Sequence, residues 1–126
     1  MMRITMLCRM VDTRVTLAFE VLSGWGARMR GLLGPRARGR NVALVGCPSV
    51  HTFGMRYPID VALVSRMGKI LVSRRNVAPG RIVSAPGAWV ALERPADEGP
   101  WPQEGSWVSL ANVSNADCKG MEGYCV

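Results

Sequence analysis

Residues 59–73 have the sequence Ile-Asp-Val-Ala-Leu-Val-Ser-Arg-Met-Gly-Lys-Ile-Leu-Val-Ser, and this stretch decides the fold. Its first seven residues form a near-continuous apolar run, which is typical of a strand buried on both faces. The next four, Arg66-Met67-Gly68-Lys69, form a hairpin-type turn in which glycine supplies a positive φ. Residues 70–73 are then apolar again. The stretch therefore predicts two antiparallel strands joined by a tight turn.

Further short strand patterns lie on both sides of this hairpin. Residues 14–21 alternate apolar and polar side chains, with Val15 and Phe19 on the apolar face, as in a half-buried strand. Other strand-like segments, separated by Gly and Pro, are residues 42–45, 49–55, 81–83, 88–93 and 107–110. Six or seven short strands with turns between them indicate a mostly β fold. We expect an antiparallel β-sandwich similar to a jelly roll, or a small barrel.

One short helix is also predicted. Ser23 can cap a helix through residues 27–33, although Gly24, Gly26 and Gly31 weaken it. A chain of 126 residues fits one domain. We divide it into a flexible N-terminal stretch 1–12, a single β domain 13–110 and a flexible tail 111–126. Residues 4–11 remain open between a strand and a frayed start.

Composition bounds the partners and the compartment. The net charge is +7, so acidic partners, including nucleic acid, must be weighed against a merely solvated basic surface. No run of 18 apolar residues exists, so we predict no membrane span and a cytoplasmic location. The four cysteines form no Cys-x-x-Cys pair, which disfavours a zinc site. Cys8 and Cys47 are expected to be small buried apolar residues.

The densest motif is residues 47–61, Cys-Pro-Ser-Val-His-Thr-Phe-Gly-Met-Arg-Tyr-Pro-Ile-Asp-Val. It resembles the signature of the domain of unknown function 192 family, also called uncharacterised protein family 0127. Further blocks agree in order and approximate spacing, and these are residues 29–34, 68–71 with 77–79, and 91–96. The chain departs from the family at Gly105-Ser106, where a Gly-Asp pair is usual. The resemblance spans residues 14–110 and implies a compact β domain, but no reaction, substrate or cofactor.

The candidate site is built around the only histidine of the chain, His51. We predict that His51, Arg30 and Asp60 lie around one concavity. Further ligand-binding candidates are Ser49, Met55 and Glu93. Arg30 could pair with either carboxylate, or hold a ligand carboxylate or phosphate in a bidentate manner. We expect no cofactor, and no metal, because one histidine with the scattered acids and Cys47 fits no metal-ligand spacing.

Three functions follow from these residues. The leading hypothesis is a non-enzymatic module that binds a small molecule or a protein. The second is a hydrolase-type enzyme in which Asp60 orients His51 and His51 activates Ser49. The third is association with nucleic acid through Arg-rich loops, in which arginines hold phosphates and tryptophans stack on bases. The residues of that third hypothesis are Arg36, Arg38, Arg40, Arg74 and Arg75, with Trp25 and Trp101.

Overall fold

The computed structural model describes residues 4–22 and 40–114, and these two segments contain nine strands and no helix. The mostly β class is therefore confirmed, whereas the predicted helix at residues 27–33 lies outside the described residues. The strands are β1 Ile4–Met10, β2 Thr16–Leu22, β3 Val42–Val45, β4 Ser49–His51, β5 Ile59–Ser65, β6 Ile70–Val77, β7 Ile82–Ser84, β8 Ala88–Pro95 and β9 Val108–Ser114.

Seven strands form one sheet in the order β6-β5-β8-β3-β2-β1-β9, and β4 with β7 forms a second, two-stranded sheet. The predicted hairpin is present, since β5 and β6 pair antiparallel across the turn 66–69. β2 and β3 pair in parallel, and every other neighbouring pair is antiparallel. The described strands thus form a single curled sheet with a small companion sheet, and the expected sandwich or small barrel is not confirmed.

Residues 4–10 are the strand β1 rather than a frayed start. β1 lies between β2 and β9, and it pairs with β9 from Ile4 opposite Ser114 to Met10 opposite Val108. The last strand accordingly continues four residues beyond the predicted boundary at residue 110. Local apolar patterning failed at these two boundaries because each strand is stabilised by a partner at the other end of the chain.

The large sheet has an apolar core on each face. The inner core contains Phe19, Leu92 and Trp101, and it takes residues from both edge strands, Ile70 of β6 and Val108 of β9. The sheet therefore curls around it. Phe19 is fully buried and meets the Trp101 ring edge-on at 5.9 Å. Replacing such a phenylalanine with alanine costs about 3–5 kcal/mol in a typical core.

The outer core lies on the opposite face of the large sheet and is covered by the small one. Val61 and Leu63 of β5 contribute to it, together with Val50 of β4 and Val83 of β7. Each face therefore takes alternate residues of the central strands, as the pleat requires. The small sheet is consequently an apolar flap over the outer core.

Cys8 and Cys47 are buried and carry free thiols, which confirms the sequence prediction for both. Burial raises the pKa of the Cys8 thiol to about 12, so this thiol stays protonated at neutral pH. The Cys47 thiol donates a hydrogen bond to the carbonyl oxygen of Ser49 at 3.3 Å. Cys8 belongs to the inner core and Cys47 to the outer core.

Candidate functional site

Ser49 and His51 lie on the solvent side of β4, and only Val50 between them points into the outer core. The His51 ring stacks on Phe53, with the ring centroids 5.3 Å apart. Met55 is half-buried and packs against the outer core instead. The strand predicted over residues 49–55 therefore ends at His51.

Thr52 stops this strand by a set of buried hydrogen bonds. Its hydroxyl donates to the carbonyl oxygen of Ala78 and accepts from the backbone N–H of Arg81, both at 2.8 Å. Its own backbone N–H donates to the Arg81 carbonyl oxygen at 2.8 Å. The loop after β6 is thereby fixed to the loop after β4. Thr52 was not singled out from the sequence, although a hydroxyl between two exposed residues in a turn is a known signal for such side chain to backbone bonds.

Asp60 lies on the inner face of β5 and is 1% exposed. Its Oδ1 accepts a hydrogen bond from the backbone N–H of Asn76 at 2.9 Å. Its Oδ2 accepts one from Nε of Arg94 at 2.8 Å and one from the backbone N–H of Asp97 at 3.3 Å. The ion-pair partner is Arg94, whereas Arg30 lies outside the described residues. Both carboxylate oxygens are engaged.

Arg94 is itself 4% exposed, and each of its three guanidinium nitrogens donates a hydrogen bond. Its Nη atoms donate to three backbone carbonyl oxygens in the loop 97–100, at 2.9 to 3.2 Å. The guanidinium also lies 4.6 Å from the ring centroid of Trp101. We call Asp60, Arg94 and this loop the Arg94 node. It is a structural ion pair, and each charged group in it is hydrogen-bonded, as burial demands.

An open cleft of about 510 Å³ lies beside the node. Arg75, on its wall, donates from Nη2 to the carbonyl oxygens of Asp97 and Gly99. The cleft is lined by Asp60, Arg75, Asn76, Ala96, Asp97 and Glu98. Asp60, the buried charged residue that lines the cleft, already has hydrogen-bond partners within the chain. The polar groups of the cleft that lack such partners therefore belong to side chains in contact with solvent.

His51 and Asp60 do not meet. The small sheet that carries His51 covers the outer core, whereas Asp60 pairs with Arg94 on the inner face. Val61 follows Asp60 on β5 and belongs to the outer core, which fixes the two faces. The Ser49–His51–Asp60 arrangement that a hydrolase mechanism requires is therefore not formed.

Glu93 is the buried acid on the outer face of β8, and it is 6% exposed. Its cross-strand neighbours are Val42 on β3 and Val61 on β5. No residue in the described segments 4–22 and 40–114 gives it a hydrogen bond or an ion pair. Burial raises the pKa of its carboxyl from 4.5 to about 7. It is a buried acid that lacks the partners Asp60 has.

Charged residues stand at both ends of the row that contains Glu93. Glu20 lies beyond Val42 on β2 and pairs with Arg40, and Arg74 lies beyond Val61 on β6 and pairs with Glu104. Each end is two strands from Glu93, which is about 10 Å at the usual strand spacing. These charges are therefore separated from Glu93 by apolar side chains.

The residues proposed for nucleic-acid binding are mostly engaged elsewhere. Within the described part of the chain, Arg40 and Arg74 are in ion pairs and Arg75 is bound to carbonyl oxygens. Trp101 is 5% exposed and cannot stack on a base. Residues 36–38 and Trp25 lie outside the described residues. The described arginines of that hypothesis are thus already in contacts within the chain.

Among residues 4–22 and 40–114, no three His, Cys, Asp or Glu side chains lie close enough together to hold a metal ion. The same residues contain no helix long and apolar enough to cross a lipid bilayer.

The fold defines a class of small β domain, with a curled seven-stranded sheet and a two-stranded flap. No family model and no curated protein matches the chain. Solved structures do. A protein from Sinorhizobium meliloti, named a "putative transcription regulator", is 18% identical with a TM-score of 0.65, over 87% of this chain and 94% of its own. These likenesses concern the fold alone.

Two other structures share the fold. One is a protein of unknown function from Novosphingobium aromaticivorans, 14% identical with a TM-score of 0.63, over 85% of this chain and 84% of its own. The other is a hypothetical protein from Synechocystis, 10% identical with a TM-score of 0.62. The match covers 95% of this chain but only 21% of the Synechocystis chain. The same domain architecture therefore occurs alone and within a much longer protein.

Proposed function

We propose that this chain is a non-enzymatic module that binds a small ligand, and that Glu93 is the group that recognises it. The observation that carries the proposal is Glu93, which is 6% exposed and has no hydrogen-bond or ion-pair partner among the described residues. Its carboxyl oxygens keep some contact with solvent, because Trp101 Nε1 is the one fully buried side-chain N or O atom without a partner in that part of the chain. Polar groups in so apolar a setting are nearly always hydrogen-bonded, so an acid without a partner calls for an explanation. A bound ligand supplies the missing donor.

The chemistry of Glu93 selects the ligand class. An ionised carboxylate only accepts hydrogen bonds, so its complement is an ammonium, a guanidinium or an amide N–H. Val42 and Val61 on either side are fully buried and make the surroundings of Glu93 apolar. Met55 and Tyr57 pack against the same outer core. The ligand we propose therefore joins a nitrogen donor to an apolar part.

The placement of the other candidate residues argues against a reaction at this site. His51, the only histidine of the chain, is exposed on the flap and stacked on Phe53. Asp60 is held by Arg94 on the opposite face of the sheet. General acid–base work needs a group within hydrogen-bond reach of the reacting proton, and neither His51 nor Asp60 forms a hydrogen bond or an ion pair with Glu93.

Native mass spectrometry of the freshly purified chain tests the proposal, followed by NMR titration with n-butylamine and n-butylguanidine as probes. We expect a retained small molecule, or saturable shifts at residues 91–95, in the unaltered chain and loss of both in Glu93→Gln. Glu104→Gln is the matched control, because Glu104 is an exposed acid with an ion-pair partner. It should behave as the unaltered chain does.

Two outcomes would contradict the proposal. One is a Glu93 pKa that rises further in Arg30→Gln, which would show that Arg30 is the partner of Glu93 within the chain. The other is turnover of an ester or amide substrate that His51→Ala abolishes, which would restore the hydrolase hypothesis.

We also propose membership of the domain of unknown function 192 family. The block 29–34 lies outside the described residues. The other matched blocks fall on the flap and β5, on the β5–β6 hairpin and on β8, which are parts that build the outer core. An alignment of homologues tests this. It should show Thr52 and Asp60 retained, because each fixes a loop through buried hydrogen bonds.

A further inference from the structure

The β5–β6 turn carries an exposed apolar side chain on a fixed backbone. Met67 at its crest is 82% exposed. Gly68 has φ +91°, and a Cβ there would come within 2.3 Å of the Val108 carbonyl oxygen. The Gly68 carbonyl oxygen accepts a hydrogen bond from the Val108 N–H at 2.8 Å. Because β9 holds the turn in this way, Met67 is presented to solvent by a rigid element.

Tryptophans and cations flank this turn. Trp89 and Trp107 are 38% and 48% exposed, the Arg66 guanidinium lies 3.9 Å from the Trp89 ring centroid, and the Lys69 ammonium lies 5.9 Å from that of Trp107. Val11, 60% exposed, donates its N–H to the Trp107 carbonyl oxygen. We call this surface the tryptophan tip, and it consists of Val11, Arg66, Met67, Lys69, Trp89 and Trp107.

We propose that the tryptophan tip docks on the surface of an anionic lipid bilayer. Tryptophan is the side chain most suited to the boundary between headgroups and acyl chains, because its ring is apolar and its N–H is polar. An exposed methionine between two tryptophans can enter the acyl boundary. Arg66 and Lys69 meet anionic headgroups at the same depth.

Charge complementarity supports this occupant. The chain has a net charge of +7, and the turn itself contributes two cations and no acid. The neighbouring β1–β2 turn contributes Asp12 and Arg14, whose charges offset each other. A negatively charged surface is therefore attracted to this end of the molecule.

The ring contacts favour lipid over single-stranded nucleic acid. Stacking on a base needs an open aromatic face. The Arg66 guanidinium already lies over one face of Trp89. The Arg66 guanidinium covers a ring face and not a ring edge, so it does not hinder insertion of Met67 and of the tryptophan ring edges into a headgroup layer. This docking surface is also separate from Glu93, so the two proposals stand or fall independently.

Vesicle co-sedimentation tests the proposal. The probes are vesicles of phosphatidylcholine alone and of phosphatidylcholine with an equal part of phosphatidylglycerol. We expect the chain to sediment with the anionic vesicles, less so as salt is raised, and with a blue shift of tryptophan fluorescence. Met67→Asp should weaken this binding about ten-fold or more, the factor expected from one methionine side chain withdrawn from an apolar phase.

Ile82→Asp is the matched control, because Ile82 is 65% exposed on the flap and lies outside the tip. It should bind the anionic vesicles as the unaltered chain does. Equal sedimentation with both vesicle types, equal binding by Met67→Asp and Ile82→Asp, or no binding at all would overturn the proposal. So would a dimer in analytical ultracentrifugation that Met67→Asp dissociates, because a second copy of the chain would then cover the tip.

Discussion

Asp60 and Glu93 are two buried acids on adjacent rows of the same pair of strands, with Asp60 opposite Arg94 and Val61 opposite Glu93. They lie on opposite faces of the sheet. Asp60 accepts three hydrogen bonds and has an ion-pair partner, whereas Glu93 has neither within the described segments. Two similarly buried acids therefore differ in their roles, and the difference is that Asp60 has partners within the described segments whereas Glu93 has none.

The cause of the difference is the loop after β8. Residues 96–101 turn back over the inner face, where their carbonyl oxygens bind Arg94 and the N–H of Asp97 binds Asp60. On the outer face, Glu93 meets valine side chains on both neighbouring strands. A satisfied ion pair anchors structure, while an acid without a donor is available for a ligand.

The largest expected effect comes from breaking the satisfied pair. Arg94→Met leaves Asp60 buried without its partner and should lower the free energy of unfolding by about 3–5 kcal/mol. Urea unfolding followed by circular dichroism measures this. Arg74→Met is the control, because Arg74 pairs with an exposed acid and should leave the unfolding midpoint unchanged. Similar losses of unfolding free energy in Arg94→Met and Arg74→Met would mean that the Arg94 node stabilises the fold no more than an exposed ion pair does.

The pH dependence of stability tests the difference between Asp60 and Glu93 through the titration of Glu93. Between pH 4.5 and about 7 the folded chain keeps a proton on Glu93 that the unfolded chain has released, so stability falls as pH rises. The loss is complete above the folded pKa of about 7 and amounts to about 3 kcal/mol. Glu93→Gln should remove this slope and be the more stable form above that pKa. Urea unfolding across this pH range decides it, and a slope unchanged in Glu93→Gln would contradict the assignment.

The smallest effect concerns one hydrogen bond of Asp60. Asn76 donates its backbone N–H to Asp60 from a left-handed conformation, φ 56°. Asn76→Val should cost about 1–2 kcal/mol, because a β-branched residue is strained there. Asn76→Gly should be close to neutral, and urea unfolding followed by circular dichroism measures both variants. A Gly variant as unstable as the Val variant would show that the Asn76 side chain, and not its backbone, matters.

Much of the fold could be predicted from local sequence. Residues 59–73 gave a β5–β6 hairpin because an apolar run, a glycine turn and a second run are all local signals. The role of residues 4–10 could not be settled in this way, because their partner β9 begins at residue 108. The parallel pair β2–β3 was also missed, since nothing within either strand encodes the direction of its neighbour.

The candidate site was predictable only in part. Asp60 and Glu93 were both singled out, but their faces were not, and Arg94 was overlooked in favour of Arg30. An arginine two positions after the apolar residues 88–92, together with an aspartate inside the apolar run of β5, is the signal that could have paired them. Two opposite charges in predicted central strands are each too costly to bury alone.

The pairing of β1 with β9 has a consequence for how the chain is made. β1 is synthesised about a hundred residues before its partner β9. At usual synthesis rates β1 waits several seconds with one hydrogen-bonding edge unfilled, which invites pairing with other nascent chains. Arg9, exposed near the end of β1, is a charge of the kind that discourages such association. Completion of the curled sheet therefore waits for the synthesis of β9.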